Sequence, residues 1–490
     1  MAPARRPTIG RAQVEAAVSK LQDRIGETMA RTGVPGLAAG VVFDDEVILA
    51  RGFGVSALGG SDEVGPDTVF QIASLSKSLG SSVMCALVRE GALAWDDPVR
   101  TGIPEFALAD PWVSEHVTFA DLFSHRSGLP EHAGDLLEDL GYDRDTVLAR
   151  LRLYPLAPFR ASYGYTNFGL TAAGVAGAAR AGTTWEGASE DLLYKPLGMA
   201  STSSTYAGFR SRPNRATGHV RRDGRWMVTP QPRQPDGQSP AGGVSSSVDD
   251  LLLWLATMLR DGATAGGYVV DPGALAQSWL PHAISNPPDG PTARAGFYGL
   301  GLNVAYDGGG RLRLGHSGAF ALGAGTAMTF YPAERMGIVV LTNGEPTGVA
   351  EATTESFCDD VFLGAQRNDW LAVIGPYFDR LIHPAPKKDF AAGGEAAGPE
   401  ERYTGTYDSD LYGRLVVDAR PGGGLQLTLG PDRHAYLLQP HEGDEMWWQF
   451  AGENAGPPAA ATFTVTAGDR ATAVTLDHFD SEGLGTFTRR

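Results

Sequence analysis

Residues 68–91 read TVFQIASLSKSLGSSVMCALVREG. The first six residues are mostly apolar, which predicts a short strand. The apolar residues that follow recur at helical spacing and stop at Gly91, so a helix is predicted after the strand. Ser74 stands at the junction of strand and helix, and Lys77 follows it by three residues. At that spacing the two side chains share one face of a helix, whereas Ser76 points elsewhere.

The position of Ser74 favours nucleophilic chemistry. A helix N-terminus has partial positive charge and free N–H groups, which stabilise an alkoxide and a developing oxyanion. Lys77 is placed to act as the base that activates the serine hydroxyl. The pattern S-x-x-K is short, however, and these residues alone leave open that Ser74 is a simple helix N-cap.

The order of predicted elements along residues 1–383 indicates an α+β fold. A helix comes first, two strands follow around the turn Asp44-Asp45, a helical region occupies the middle, and strands return before two final helices. This order predicts an antiparallel sheet flanked by helices, with a helical subdomain inserted. The predicted helices include 11–31, 185–199, 248–260, 347–364 and 368–383, and the later strands are 298–306, 311–318, 325–332 and 336–343.

The C-terminal part of the chain has a different character. Residues 384–400 are rich in Ala, Gly and Pro and lack periodicity, which predicts a linker. Residues 401–490 contain seven or eight short alternating strands separated by turns, a pattern typical of a small β-barrel or sandwich. We therefore expect two folded regions, at 1–383 and 401–490.

Composition excludes several classes of function. The chain has 490 residues, of which 42% are hydrophobic and 20% charged, as in globular proteins with more than one domain. Its formal net charge of −17 disfavours nucleic acid as a partner, because phosphate binding needs clustered Lys and Arg. The two cysteines, Cys85 and Cys358, are expected to be buried thiols. Metal-ligand spacing is lacking, so no metal and no other cofactor is expected.

The N-terminal residues bear on location. The stretch MAPARRPTIG is basic but is followed by no apolar segment, so a secretory signal is not expected. No run of about 18 apolar residues occurs in the sequence, which argues against a transmembrane helix. On these grounds the expected location is the cytoplasm, without a membrane partner.

A second segment suited to acyl transfer is SYGYTNFG, at residues 162–169. Tyr165 and Asn167 stand two residues apart and can project to the same side of a loop. A tyrosine there can relay protons between nucleophile and leaving group, and an asparagine can donate to a substrate carbonyl. A packed aromatic in a surface turn is the structural alternative for this segment taken singly.

The third segment is GHSGAF, at residues 315–320. Its glycines allow a substrate backbone to approach closely, so Ser317 and Gly318 are candidate substrate-binding residues. His316 is a candidate proton donor, and the N–H of Ala319 is a candidate oxyanion donor beside that of Ser74. A lone histidine on a strand is also compatible with a purely structural role.

Together and in this order, the three segments resemble the S-x-x-K, Y-x-N and sheet-strand motifs of the serine β-lactamase and penicillin-binding-protein superfamily, in its class C-like branch. The resemblance covers about residues 11–383 and implies that Ser74 is the nucleophile and Lys77 its base. Supporting stretches are FADLFSHRSGLP (119–130), YKPLGM (194–199), PAGGVSSSVDDL (240–251) and YGLGL (298–302).

One departure from the superfamily pattern points to a substrate. Penicillin binders usually have Lys-Thr-Gly in the third motif, where the lysine attracts a carboxylate, but this chain has His316-Ser317-Gly318. The change argues against β-lactams and free carboxylates as main substrates. With this histidine the chain is most similar to the stand-alone penicillin-binding-protein-type thioesterases, the peptide cyclases of nonribosomal peptide pathways. That similarity implies a lipocalin-like C-terminal domain, a peptidyl carrier protein as partner and an acyl donor that ends in a D-residue.

The resemblance implies that Ser74 takes a peptidyl chain from a carrier-protein thioester and that the peptide's own N-terminal amine releases it as a macrolactam. Tyr165 and His316 would then manage protons, and Asn167 would orient the acyl chain. The alternative is a cytoplasmic esterase or D-stereospecific peptidase with the same residues and water as second nucleophile. A catalytically inactive binding module is a third hypothesis, which the presence of both Ser74 and Lys77 argues against.

Overall fold

The computed structural model describes residues 8–290, 293–390, 394, 398–466 and 469–490. Residues 391–393 and 395–397, which belong to the predicted linker, lie outside the described residues. Packing divides the chain into two compact units. The first unit comprises residues up to 106, 112–128 and 158–382, and the second comprises 107–111, 129–157 and 383–490.

An eight-stranded antiparallel sheet forms the centre of the first unit. Its strands are β1 (Gly36–Phe43), β2 (Glu46–Gly54), β3 (Ala283–Asn286), β4 (Gly296–Tyr298), β5 (Asn303–Tyr306), β6 (Leu312–Phe320), β7 (Ala324–Tyr331) and β8 (Met336–Thr342). Their spatial order is β2-β1-β8-β7-β6-β5-β4-β3, so the first strand pairs with the last. The predicted antiparallel sheet is confirmed.

The turn between β1 and β2 follows the prediction from its two aspartates. Asp44 and Asp45 have φ angles of 47° and 73°, as the two central residues of a type I′ hairpin require. Asp is among the few residue types that tolerate this left-handed region. The sequence therefore determines this hairpin locally.

Helices cover both faces of the sheet. The longer helices are α1 (Arg11–Thr32), α2 (Ser76–Arg89), α3 (Asn167–Arg180), α4 (Val248–Met258), α5 (Val349–Leu363) and α6 (Trp370–Ile382). Side chains alternate between the faces of a strand. In β1, Ala39 and Val41 join the apolar core that α1 and α5 share, whereas Gly40 lies against Leu252 of α4. Since both faces are covered, β1, β7 and β8 are buried at every position.

A helical subdomain lies in sequence between β2 and β3, as predicted. The helix α2 contains a long buried stretch, because every residue from Ser76 to Leu87 is buried. Shorter helices occur at Pro111–His116, Phe119–Phe123, Asp135–Asp139, Arg144–Arg150, Trp185–Ser189, Lys195–Leu197, Tyr206–Arg210, Ser239–Gly242 and Pro272–Ser278.

The prediction of one continuous strand over 298–306 was wrong. The segment forms the end of β4, a turn at 299–302 and then β5. Gly301 in this turn has φ +84°, and a Cβ atom at this position would lie 2.5 Å from the carbonyl oxygen of Lys77. The chain turns here because it passes close to the backbone of α2. The local hydrophobic pattern does not predict this close approach.

The second unit contains a closed, up-and-down β-barrel, and the predicted barrel is thereby confirmed. Each strand pairs antiparallel with the next, and the pair Tyr407↔Arg489 joins the last strand to the first. The eight strands are β9 (Gly405–Ser409), β10 (Gly413–Ala419), β11 (Leu425–Leu429), β12 (His434–Glu442), β13 (Glu445–Trp448), β14 (Ala459–Val465), β15 (Ala471–Leu476) and β16 (Thr486–Arg489).

Large aromatic side chains fill the barrel interior. Tyr407, Trp448, Phe463 and Phe487 are all at most 3% exposed. Residues that alternate along a strand also alternate between interior and surface, as in β11, where every second residue is buried. Burial of these rings is the main contribution to the stability of the barrel.

The segment 129–157 folds with the barrel, although it lies in sequence within the helical subdomain. Arg150 Nη1 donates a hydrogen bond to the Leu411 carbonyl at 2.7 Å, and Tyr142 Oη donates to the Tyr412 carbonyl at 3.0 Å. These bonds tie the segment to the turn between β9 and β10. None of the described helices is long and apolar enough to cross a membrane.

We predict that Trp448→Ala lowers the free energy of unfolding by about 3–5 kcal/mol, because it leaves a large cavity among the packed rings of the barrel. Trp448 is fully buried and its ring centroid lies 5.2 Å from that of Tyr436. Urea unfolding followed by circular dichroism measures the change. Leu437→Ala is the control, since Leu437 is 47% exposed on β12; its expected change is within about 0.5 kcal/mol.

Candidate active site

Ser74 lies in a tight turn between a two-residue strand and α2. The strand is Phe70–Gln71, and a 3₁₀ turn at Ala73–Leu75 leads into the helix. Ala73 has φ +47°, a left-handed conformation that costs a residue with a Cβ atom about 1–2 kcal/mol. The turn presents Ser74 as a half-buried residue between the fully buried Ala73 and Leu75. Strain of this kind is typical of functional sites.

The amine of Lys77 is completely buried and joins three segments of the chain. Its Nζ donates to Ser74 Oγ at 2.9 Å, to Asn167 Oδ1 at 2.7 Å and to the Ala241 carbonyl at 2.9 Å. An ammonium group has three N–H donors, so these three acceptors satisfy it fully. The predicted pairing of Ser74 with Lys77 is thus present in the geometry, and Asn167 directs its oxygen to the lysine.

Tyr165 approaches Ser74 from the helical subdomain. Its Oη donates to Ser74 Oγ at 2.8 Å, and Lys77 Nζ lies 4.7 Å from the centroid of its ring. His125 supports the loop that carries Tyr165, because Gly164 N donates a hydrogen bond to the His125 carbonyl at 2.9 Å. Gly164 directly precedes Tyr165 in this loop. The hydroxyl of Ser74 therefore has an amine on one side and a phenol on the other.

Strand β6 passes directly beside Ser74. A Cβ atom at Gly318 would lie 3.1 Å from Ser74 N and 2.6 Å from the Ile72 carbonyl oxygen, so only glycine fits there. Strand β5 pairs with β6 only as far as Gly315, and no strand in the described part of the chain pairs with 316–320 on that edge. The unpaired edge includes Ala319 and can hydrogen-bond an extended substrate.

His316 is buried on the same face of the sheet as Ser74. Its Nδ1 lies 2.6 Å from the Ser317 carbonyl and its Nε2 lies 2.8 Å from Tyr298 Oη. We assign the Nδ1–H tautomer, because a carbonyl can only accept; Nε2 then accepts from the tyrosine. Burial, together with repulsion from Lys77, lowers the pKa of His316 to about 3, so the ring is neutral at neutral pH.

Ser317 points to the other face of the sheet. Its Oγ donates a hydrogen bond to Glu351 Oε1 on α5. Burial raises the pKa of Glu351 to about 7. The structure thus brings Ser74, Lys77, Tyr165 and Asn167 into direct contact and places Gly318 against Ser74, but it directs the Ser317 side chain away from them.

Sequence reasoning missed the partners of the predicted residues. The Ala241 carbonyl accepts from Lys77, and Tyr298 fixes the ring of His316. Both residues lie in stretches that resemble the superfamily, PAGGVSSSVDDL and YGLGL, so the signal was available. Glu351 lies in a helical stretch without a motif, and nothing in the sequence distinguishes it from other acidic residues of α5.

The sequence profile of the Beta-lactamase family matches residues 21–356, well over half of the chain. The chain therefore belongs to the β-lactamase family, within the superfamily of serine β-lactamases and penicillin-binding proteins. The three motifs had predicted this membership.

The curated relatives are distant. Penicillin-binding protein 4 of Amycolatopsis lactamdurans is 29% identical over 357 residues, which is 70% of this chain and 87% of the relative. Unguisins hydrolase ungD' of Aspergillus campestris is 25% identical over 334 residues, 66% of this chain. The chain spans only 60% of the length of that hydrolase and 53% of the Beta-lactamase-like protein 2 of Dictyostelium discoideum.

Solved structures show the same fold over nearly the whole chain. The octameric penicillin-binding protein homologue from Pyrococcus abyssi superposes with a TM-score of 0.62 at 22% identity, covering 94% of this chain and 98% of that one. The crystal structure of SurE gives a TM-score of 0.56 at 20% identity, covering 97% and 99%. At such identities the likeness shows the fold alone.

We predict that Ser74→Ala lowers the rate of covalent labelling by a fluorophosphonate probe by at least about 10³-fold, because it removes the attacking oxygen. Ser76→Ala is the matched control. The Ser76 hydroxyl accepts a hydrogen bond from Val244 N at 3.0 Å. The control is expected to be labelled within about threefold of the wild-type rate while losing about 1–3 kcal/mol of stability. Labelling of the Ser74→Ala protein at an unchanged rate would contradict the assignment.

We predict that Gly318→Ala slows labelling of Ser74 by about 10²-fold, because the added methyl group displaces β6 from the nucleophile's N–H group. The new Cβ atom would lie 2.3 Å from Thr326 Oγ1. Gly26→Ala in α1 is the control, since no atom lies within 4 Å of a Cβ at that position. It is expected to leave the rate unchanged and to add about 0.5–1 kcal/mol of stability.

Proposed function

We propose that the protein is a thioesterase that takes a peptidyl chain from a carrier-protein thioester onto Ser74 and releases it as a macrolactam. The observation that favours this acyl donor is the uncharged His316 in the third motif. A lysine there would attract a substrate carboxylate, whereas a neutral, hydrogen-bonded ring offers a carboxylate no charge. A thioester at the end of a peptide has no carboxylate to be bound.

The first step would form the acyl-enzyme. The neutral form of Lys77 takes the proton of the Ser74 hydroxyl as Oγ attacks the thioester carbonyl. The oxyanion accepts hydrogen bonds from the N–H groups of Ser74 and Ala319. The C–S bond then breaks, and the thiolate of the carrier arm takes a proton that Tyr165 relays from Lys77; Lys77 Nζ and Tyr165 Oη both contact Ser74 Oγ.

The second step would release the product. The N-terminal amine of the peptide attacks the ester carbonyl, a C–N bond forms and the bond to Ser74 Oγ breaks. The proton lost by the amine returns to Ser74 through Tyr165, whose Oη lies 2.8 Å from Oγ. Asn167 orients the acyl chain, and the free edge of β6 holds its backbone in extended form. No cofactor takes part in either step.

This proposal includes a partner and a location. The acyl donor would be a peptidyl group, ending in a D-residue, on the phosphopantetheine arm of a peptidyl carrier protein. Such a donor is made inside the cell, so the protein would act in the cytoplasm. The chain's net charge of −17 gives no reason to invoke nucleic acid.

Hydrolysis is the second candidate function, because two relatives are named for it. One is the unguisins hydrolase, and another is the D-alanyl-D-alanine-carboxypeptidase/endopeptidase AmpH of Escherichia coli, 26% identical over 239 residues. The same acyl-Ser74 ester would then be captured by water. Which nucleophile wins depends on how well the site excludes water while the peptide amine is present.

We predict that a peptidyl thioester mimic with a free N-terminal amine and a C-terminal D-residue gives mainly the macrolactam, because the ester is held where the amine can reach it. Mass spectrometry measures the ratio of cyclic product to linear acid. The N-acetylated mimic is the control and should give linear acid only, since its amine cannot attack. Exclusive linear acid from the free amine would support the hydrolase instead.

A further inference from the structure

Strand β6 is held from both faces of the sheet. On the active-site face His316 is bound by Tyr298, and on the opposite face Ser317 donates to Glu351. Gly318, the next residue, is the one that lies against Ser74 N. The bond between Ser317 and Glu351 is therefore one residue away from the contact that defines the oxyanion site.

Glu351 faces a cavity of about 180 Å³ between the sheet and α5. The charged or titratable groups that line this cavity besides Glu351 are Arg313 and His316 from β6 and Glu355 from α5. Arg313 is paired with Glu355, and His316 is neutral. The residues that β5 and β7 contribute are uncharged: Asn303, Ala305, Ala327, Met328 and Thr329.

We propose that Glu351 is a positioning residue for acylation of Ser74, acting through Ser317 to hold β6 against the nucleophile. This inference rests on the proposed function only in that Ser74 must be the acylated residue. It assigns a role to a carboxyl group on the far face of the sheet, which does not touch the substrate or the reacting atoms.

The protonation state of Glu351 controls how firmly it holds the strand. Ionised, it accepts the Ser317 O–H in a charge-assisted bond, which is shorter and stronger than a bond to a neutral acceptor. Protonated, its carbonyl oxygen is a neutral and weaker acceptor, and its O–H group is a donor. Burial favours the protonated form and the bond to Ser317 favours the ionised one, which places the pKa of the carboxyl at about 7. Acylation should therefore be faster above pH 7 than below it.

The test compares wild type, Glu351→Gln, Ser317→Ala and the double variant. The rate of Ser74 labelling by a fluorophosphonate is measured from pH 5.5 to 8.5, and thermal unfolding at both limits verifies folding. Any effect of pH on the probe or on groups that all four proteins share is common to them, so the informative quantity is the ratio of wild-type to variant rate. Glu355→Gln is the matched control, because Glu355 lies on the same helix and cavity but contacts Arg313 instead.

The expected ratio of wild type to Glu351→Gln is about 1 at pH 5.5 and about 3–10 at pH 8.5, with a midpoint near 7, because the amide mimics the protonated acid. The ratio for Ser317→Ala should rise with pH with the same midpoint, and the double variant should lose no more than Ser317→Ala alone. The ratio for Glu355→Gln should not change with pH.

A ratio for Glu351→Gln or for Ser317→Ala that does not change with pH would overturn the inference, as would additive losses in the double variant. Absence of Ser74 labelling in the wild type would overturn the proposed function and this inference with it. Normal labelling with a flat ratio would overturn the inference alone. Should Glu351→Gln fail to fold, the pH dependence of the Ser317→Ala ratio decides the question.

Discussion

The buried amine of Lys77 is the constraint on which the rest of the structure depends. An amine removed from water must find acceptors for its N–H groups, because an unsatisfied buried charge is costly. Lys77 finds them on Ser74, on Asn167 at the start of α3 and on the Ala241 carbonyl. One side chain thus fixes the nucleophile turn, the tyrosine loop and the short helix at Ser239–Gly242 relative to one another.

The sheet contributes a close-packed glycine and an open strand edge to the candidate site. Strand β6 brings a glycine against the backbone of Ser74, and the short strand β5 leaves the following residues of β6 with an open edge. The candidate site therefore lies where a strained turn meets a strand edge, with the candidate proton-transfer groups Lys77 and Tyr165 on one side and the candidate oxyanion and substrate-binding groups of β6 on the other. This arrangement of groups on two sides of Ser74 is suited to acyl transfer to and from an extended chain.

The third motif shows how one substitution changes the electrostatics of such a site. A lysine in this position would add a second cation close to Lys77. A histidine in the same place is buried, is hydrogen-bonded at both nitrogens and is kept neutral by burial and by Lys77 itself. At this position of the third motif, the site therefore offers a neutral hydrogen-bonding ring in place of a cation that would attract a substrate carboxylate.

The sequence by itself determined whatever depends on local spacing. Ser74 and Lys77 stand one helical turn apart, Asp44-Asp45 favours a hairpin, and the alternating segments after residue 400 predict a small barrel. Only the tertiary structure decided that residues 298–306 turn instead of running straight, that Ser317 contacts Glu351 and that 129–157 packs with the barrel. Those outcomes depend on contacts between residues that are far apart in the sequence. Hydrophobic periodicity and short motifs depend only on residues that are close together in the sequence, so they cannot predict such contacts.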